Sequence, residues 1–198
     1  MVTAHQLGCV RGGRLLFTGV SFALARGESL LLRGHNGVGK SSLLRLIAGL
    51  LPVFAGNLSA FERMAMCDEH LALDENRTLA GALSFWAHMD GVSDNAVSAA
   101  LECYALTPLR DIPVRMLSTG QRKRAALVRV LASGALLWLL DEPGNGLDAP
   151  SLALLGAAMQ AHVANGGCII AASHFNLPFA FTDSITLQNP GEPDDAHL

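Results

Sequence analysis

Gly34-His35-Asn36-Gly37-Val38-Gly39-Lys40-Ser41 has the form GxxxxGK[ST], and Ser42 follows it. Glycines at that spacing let the backbone wrap a phosphate so that successive N–H groups converge on it. A helix beginning there adds the positive end of its dipole. Lys40 is long enough to reach terminal phosphates, and the Ser41 hydroxyl is a ligand type suited to Mg²⁺. Gly34 to Ser42 are therefore candidate phosphate-binding residues, with ATP and Mg²⁺ as the expected ligands. About 100 residues later the apolar run Leu136–Leu140 ends in Asp141-Glu142. A buried strand with that ending delivers two acids to the carboxyl edge of a sheet, where α/β proteins bind ligands. Asp141 is placed to hold Mg²⁺ through water, and Glu142 to polarise an attacking water as general base. An apolar strand ending in two acids is as often structural when it stands alone. Its distance behind a phosphate loop gives it a chemical meaning.

Leu117-Ser118-Thr119-Gly120-Gln121 stands about 20 residues before Asp141, and Arg122, Lys123 and Arg124 follow it. In isolation it reads as a helix start with an N-cap serine, which is itself an anion-friendly end. In this position it closely resembles LSGGQ, the signature of ABC ATPases, with Thr119 in place of one glycine. Gly146-Leu147-Asp148 then resembles that family's D-loop, and His174 its switch histidine. The resemblance covers roughly residues 5–188. It implies an ATP hydrolase whose copies pair head to tail as a homodimer. Ser118, Thr119, Gly120 and Gln121 of one copy would close over ATP held by Lys40 and Glu142 of the other. His174 would hydrogen-bond the γ-phosphate, and Asp148 would serve the D-loop.

The run LSTGQRKRAALVRVLASGALLWLLDEP, then GLD and HVANGGCIIAASH, is similar to a narrower group, the haem-exporter ATPases of cytochrome c maturation (the CcmA family). Thr78 to Trp86 partly matches a further segment of that family. This resemblance implies a CcmB-like integral membrane partner, haem-handling subunits, and a peripheral place on the cytoplasmic face of the bacterial inner membrane. The chain departs from the family pattern at several points. Arg11 stands where an aromatic residue stacks on adenine. The Q-loop glutamine has no clear match, with Glu69 or His70 nearest. The D-loop carries Gly146, preceded by Gly144-Asn145, and the stretch Leu51–Met66 is short.

The elements that must position these residues follow from pattern. The first thirty residues alternate polar and apolar and are broken by Gly12-Gly13, Gly19 and Gly27, as short antiparallel strands are. Ser29–Arg33 reads as a buried strand, with a helix after the glycine loop ending near Gly49. Residues 52–113 read as a mainly helical insertion, with helices over 79–89 and 94–106 and Asp94 as an N-cap. A helix runs from Ser118 to about Ala132 and another from Pro150 to Ala164. Strands are expected at 136–140, 167–172 and 185–187. The fold class is α/β: a P-loop NTPase core with an N-terminal antiparallel β-subdomain and a helical signature subdomain. The core is expected over about 1–58 and 121–190 and the helical part over about 59–120, in one 198-residue domain. Pro190–Leu198 is expected to be loose.

Composition narrows the alternatives. A net charge of −3 gives no basic balance for nucleic acid. Mean hydropathy is high at +0.35, yet no apolar run approaches the ~20 residues a spanning helix needs, so the surplus belongs in a core or at an interface. The N-terminal MVTAHQLGCV lacks a secretory pattern, and the chain is expected to remain in the cytoplasm. Four scattered cysteines and seven scattered histidines form no ligand spacing. Three rivals stay open: an ABC ATPase for another cargo, a soluble ABC protein working on ribosomes or DNA, and a generic P-loop kinase. About 76 residues separate Lys40 from Leu117, too few for the coiled coil of the DNA-repair type.

Overall fold

The computed structural model describes residues 1–61 and 63–189; the expectation for Pro190–Leu198 lies outside them. The chain opens with strands β1 (Val2–Arg11), β2 (Arg14–Leu24) and β3 (Ser29–Arg33), then helix α1 (Lys40–Ile47). Strands β4 (Ala55–Ser59) and β5 (Met64–Cys67) precede helices α2 (Leu79–Met89), α3 (Asp94–Cys103) and α4 (Thr119–Ala132). Strand β6 (Leu137–Asp141), helix α5 (Ala149–Ala164) and strands β7 (Cys168–Ala172) and β8 (Asp183–Thr186) complete it.

β1 and β2 form a hairpin whose two-residue turn is Gly12-Gly13, at φ 57° and 77°. Two positive φ values in succession match the twist of the strands, and glycine meets that demand without a Cβ penalty. β4 pairs with the other edge of β1, giving the antiparallel order β2-β1-β4. The second sheet is parallel, in the order β5-β6-β7-β3-β8. Because all five strands run the same way, the residues that follow them gather at one carboxyl edge.

Two apolar clusters fill the two faces of this sheet. Leu137 and Leu139 of β6 pack with α1 and the β1–β2 hairpin. Trp138 and Leu140 belong to the opposite cluster, with α4, α5 and the helical arm formed by α2 and α3. This is the period of 2 expected of a strand covered on both sides. The second cluster is continuous: Leu83, Val97 and Tyr104 of the arm belong to the same body as Trp138, Leu140 and Ile169 of the sheet. Each fully buried leucine there contributes roughly 1.5–3 kcal/mol.

Three expectations need correction. The stretch 52–113, expected to be mainly helical, holds β4 and β5, each made a strand by pairing with a distant partner, β1 and β6 respectively. Asp94 is not the N-cap of α3. Ser93 takes that place with extended backbone, and Asp94 sits in the first turn, where its charge still favours the helix dipole. That helix also stops at Cys103 rather than 106, because Ala105 turns left-handed at φ 52°. Ser118 caps α4 with a full capping box, its Oγ accepting from Gln121 N while Gln121 Oε1 accepts from Ser118 N. All four cysteines are free, and three are buried.

Candidate functional site

The loop between β3 and α1 is shaped by two close approaches. A Cβ on Gly34 would lie 2.7 Å from Leu187 O, and one on Gly39 would lie 2.9 Å from the Phe17 ring. Both residues also have positive φ, 130° and 112°, so no side chain fits either place. Val38 is buried in the core beneath, and Ser42 is buried on the first turn of α1. Lys40 is only 6% exposed. Its Nζ donates to the carbonyls of Gly34 (2.7 Å) and His35 (3.2 Å), which holds the cation under the loop. The outer residues His35, Asn36 and Gly37 are exposed. A cleft of about 400 Å³ opens over the loop, lined by Asn36, Gly37 and Gly39 to Ser42, with Arg11 and Leu16 from the hairpin and Glu142 opposite. This is a usual size for a small-molecule site.

β6 carries the acids to the same edge. Asp141 is 9% exposed. Burial pushes its carboxyl above the ordinary aspartate value, a hydrogen bond from Ser41 opposes that, and the charges of Glu142 and Asp68 add to the rise. Its Oδ1 is buried without a hydrogen-bond partner. A buried carboxylate oxygen left in that condition is costly, and together with the Ser41 hydroxyl it forms a hard-oxygen pair suited to Mg²⁺.

The raised value fixes a sign. The folded state holds the proton more tightly than the unfolded one, so the contribution of Asp141 to stability is full below about pH 3.9. It is lost as pH rises through the folded value. Asp141→Asn is therefore expected to stabilise the metal-free chain at pH 7 by roughly 0.5–2 kcal/mol, the usual scale for relieving a strained site. The gain should narrow towards pH 4. Urea unfolding at both pH values measures it; an unchanged or lowered midpoint at pH 7 would contradict the assignment.

Glu142 has φ 47°, a conformation costing of order 1–2 kcal/mol for a non-glycine residue. Its N–H donates to Ala172 O at 2.9 Å. The turn aims the carboxylate at His174, on the loop after β7, whose Nδ1 donates to Glu142 Oε2 at 2.8 Å. Lys40, Ser41, Asp141, Glu142 and His174 are thus brought together by the ends of three neighbouring elements of one sheet. Ser118, Thr119, Gly120 and Gln121 are not among the residues lining the cleft; they cap the exposed start of α4. Gly120 approaches the turn before α5 of its own chain, where a Cβ would lie 3.8 Å from Gly146 O. Asp148 caps α5 by accepting from Ser151 N at 2.9 Å, and hydrogen bonding from the Ser151 side chain, with that backbone bond, holds its carboxyl below the ordinary value.

One residue at the edge escaped the sequence reading. Asp68, directly after β5, pairs with Arg45 of α1 at 3.2 Å and accepts from His70 N at 2.9 Å. Glu69 and His70, the expected occupants of that position, are exposed. The place of Asp68 becomes visible only once the end of β5 is known.

A family model described as ABC transporter matches residues 17–145, taking in the glycine loop, Ser118 to Gln121 and both acids. A cytochrome c biogenesis ATP-binding export protein CcmA from Sphingopyxis alaskensis is 52% identical over 187 residues, 94% of this chain and 96% of its own length. The chain belongs to the ABC transporter ATP-binding proteins, of the CcmA type. A CcmA from Zymomonas mobilis is 50% identical over 188 residues, covering 95% of this chain and 85% of that protein. The solved structure of an ATP-binding subunit of an ABC transporter shares the fold, with a TM-score of 0.82 at 24% identity over 88% of this chain and 80% of that one. As a CcmA-type ABC protein the chain binds and hydrolyses ATP and works with a membrane transporter partner. Among the described residues no helix is long and apolar enough to cross a membrane.

Proposed function

We propose that the chain is the ATPase subunit of the haem exporter serving c-type cytochrome maturation, peripheral on the cytoplasmic face of the bacterial inner membrane. The observation that carries the hydrolytic reading is the Glu142–His174 contact of 2.8 Å, at the carboxyl edge that also presents Lys40 and Asp141. The relatives named for cytochrome c biogenesis, at 50–52% identity over nearly the whole chain, support the cargo assignment.

In this reading Gly34 to Ser42 cradle the phosphates of ATP, with Lys40 exchanging its loop carbonyls for phosphate oxygens. Ser41 and Asp141 hold Mg²⁺, which supplies charge neutralisation on the phosphates when bound. Glu142 takes the proton of the attacking water. His174, whose Nδ1–H is committed to Glu142, turns its other ring nitrogen towards the γ-phosphate. Arg11, at the rim of the cleft, lies over the base. A second copy brings Ser118, Thr119, Gly120 and Gln121 over the nucleotide, with Asp148 near the contact. The exposed setting of that helix start is compatible with the role.

We read the nucleotide-binding core as about 1–58 and 121–190 and the helical subdomain as about 59–120, with β5 at its base completing the parallel sheet. The groove between the end of α1, β5 and α4, about 310 Å³ and rimmed by the exposed Leu50, suits a CcmB-like membrane subunit. Phe85 and Met89 of α2 are exposed as well.

The chain purified from its host membranes is expected to bring with it an integral membrane subunit and haem-handling proteins, identified by mass spectrometry. Co-elution of a transporter subunit for a different cargo would overturn the haem assignment while leaving the ATPase reading intact.

A further inference from the structure

The segment that carries His174 is seated on two bare stretches of backbone. A Cβ built on Gly144 would lie 2.5 Å from Cζ and 2.8 Å from Cε2 of Phe175, so the ring rests directly on the main chain there. A Cβ on Gly156 of α5 would collide with the carbonyl of Pro178 in the same way. Gly144 belongs to the tight turn after Glu142, in which Asn145 N donates to Glu142 O and Leu147 N to Gly144 O, both at 3.2 Å. On the other side the buried Ser173 hydroxyl donates to Phe175 O at 2.8 Å and fixes the main chain at the ring. The His174 side chain is 52% exposed. The polar and aromatic contacts of its ring among the described residues are with Glu142 and, edge to face at 5.2 Å between centroids, with Phe175.

We propose that Phe175 is a positioning residue for hydrolysis: its ring, seated on the backbone of Gly144, sets the separation of His174 from Glu142. The inference rests on the hydrolytic reading above. Phe175 touches neither nucleotide nor water in that reading; it acts through its neighbour. The reason is geometric. Glu142 and Gly144 share one rigid turn, and His174 and Phe175 are adjacent on one loop. A ring whose Cζ–Cε2 edge abuts that turn therefore fixes the two side chains relative to each other. A methyl at 144 would meet the ring at Cζ and Cε2, and displacing the ring changes the seat of the loop that carries His174. Misplacement of a reacting group by about 1 Å costs up to roughly 100-fold in rate.

The test uses the full chain with its co-purifying membrane partner. Steady-state ATP hydrolysis and the affinity for a fluorescent ATP analogue are measured for the parent, Gly144→Ala, Phe175→Leu, Phe175→Tyr and Gly144→Ala/Phe175→Leu. Gly144→Ala is expected to lower kcat on the order of 10-fold, with KM and analogue affinity held within about twofold. Phe175→Tyr keeps the ring and should keep kcat, whereas Phe175→Leu should lose several-fold, on the order of 5-fold. Leucine lacks Cζ and Cε2, the two nearest atoms the new methyl would strike, which leaves the milder approach to Leu152 Cδ2 at 3.0 Å, so the double variant should be little slower than Phe175→Leu alone. A merely structural role would lower the number of analogue-binding sites in step with apparent kcat, so rates are expressed per titrated site; a loss that vanishes on that scale would overturn the proposal. Parental kcat in Gly144→Ala, losses that multiply in the double variant, or equal rates for Phe175→Leu and Phe175→Tyr would overturn the proposal. A parent chain that binds the analogue without hydrolysing ATP would overturn the hydrolytic reading itself, and this proposal with it.

Discussion

Glu142→Gln is expected to leave ATP binding intact and to lower kcat by about 10²–10⁴-fold, the usual contribution of a positioned base. Glutamine keeps the length and shape of the side chain, and its carbonyl oxygen can still accept from His174 Nδ1, which now bonds Glu142 Oε2 at 2.8 Å. The left-handed backbone at φ 47° is retained too. The capacity to accept a proton is what disappears. On the head-to-tail pairing proposed above, blocked hydrolysis should let the closed pair accumulate, and size-exclusion chromatography with ATP and Mg²⁺ should show more dimer for the variant than for the parent. Parental turnover in this variant would remove Glu142 from the role of base and leave His174 as the next group to test.

Lys40→Ala should act earlier, on binding. The ammonium is almost wholly buried and is held by two carbonyls of its own loop. Charge-assisted bonds of this kind, made to phosphate in a shielded cleft, are worth several times a neutral hydrogen bond. Deleting one partner of such a pair costs about 2–5 kcal/mol, so ATP affinity should fall on the order of 10²-fold or more. The loss has a second part, because Gly34 O and His35 O forfeit their donor and the loop its internal tie. Equilibrium binding of a fluorescent ATP analogue measures the effect; undiminished affinity would refute the phosphate role of Lys40. The two variants separate the stages cleanly, one failing to load and the other loading without turnover.

What was legible in the sequence was local. The glycine loop, the acids ending β6 and the start of α4 each depend on residues within a few positions of one another. The N-cap serine at 118 is local in the same way, and the helix start expected from it lies within one position of the observed one. The turn at Gly12-Gly13 was readable for the same reason. What stayed hidden depends on partners far along the chain. β5 is Met-Ala-Met-Cys, without a β-branched residue, and it is a strand because β6, some seventy positions later, supplies the hydrogen bonds. β4 likewise owes its form to the edge of β1. Asp68 inherits its place from β5 and so shared in the omission. The contact between Glu142 and His174 joins residues 32 positions apart. Pattern marked both residues as candidates, while their distance followed only from the adjacency of β6 and β7. The cap of α3 was misread by one position because serine and aspartate in succession are both acceptable there.

The apolar body shared by the helical arm and one face of the parallel sheet bears on protein engineering. A designer wishing to redirect this motor to another transporter would be tempted to exchange residues 79–116 as a cassette. Leu83, Val97 and Tyr104 share one apolar body with Trp138 and Ile169, and within it α2 and α3 pack on α4, so such a graft would arrive without its seat. A working chimera has to carry the matching face of α4 along with the arm, or else repack the seam between them.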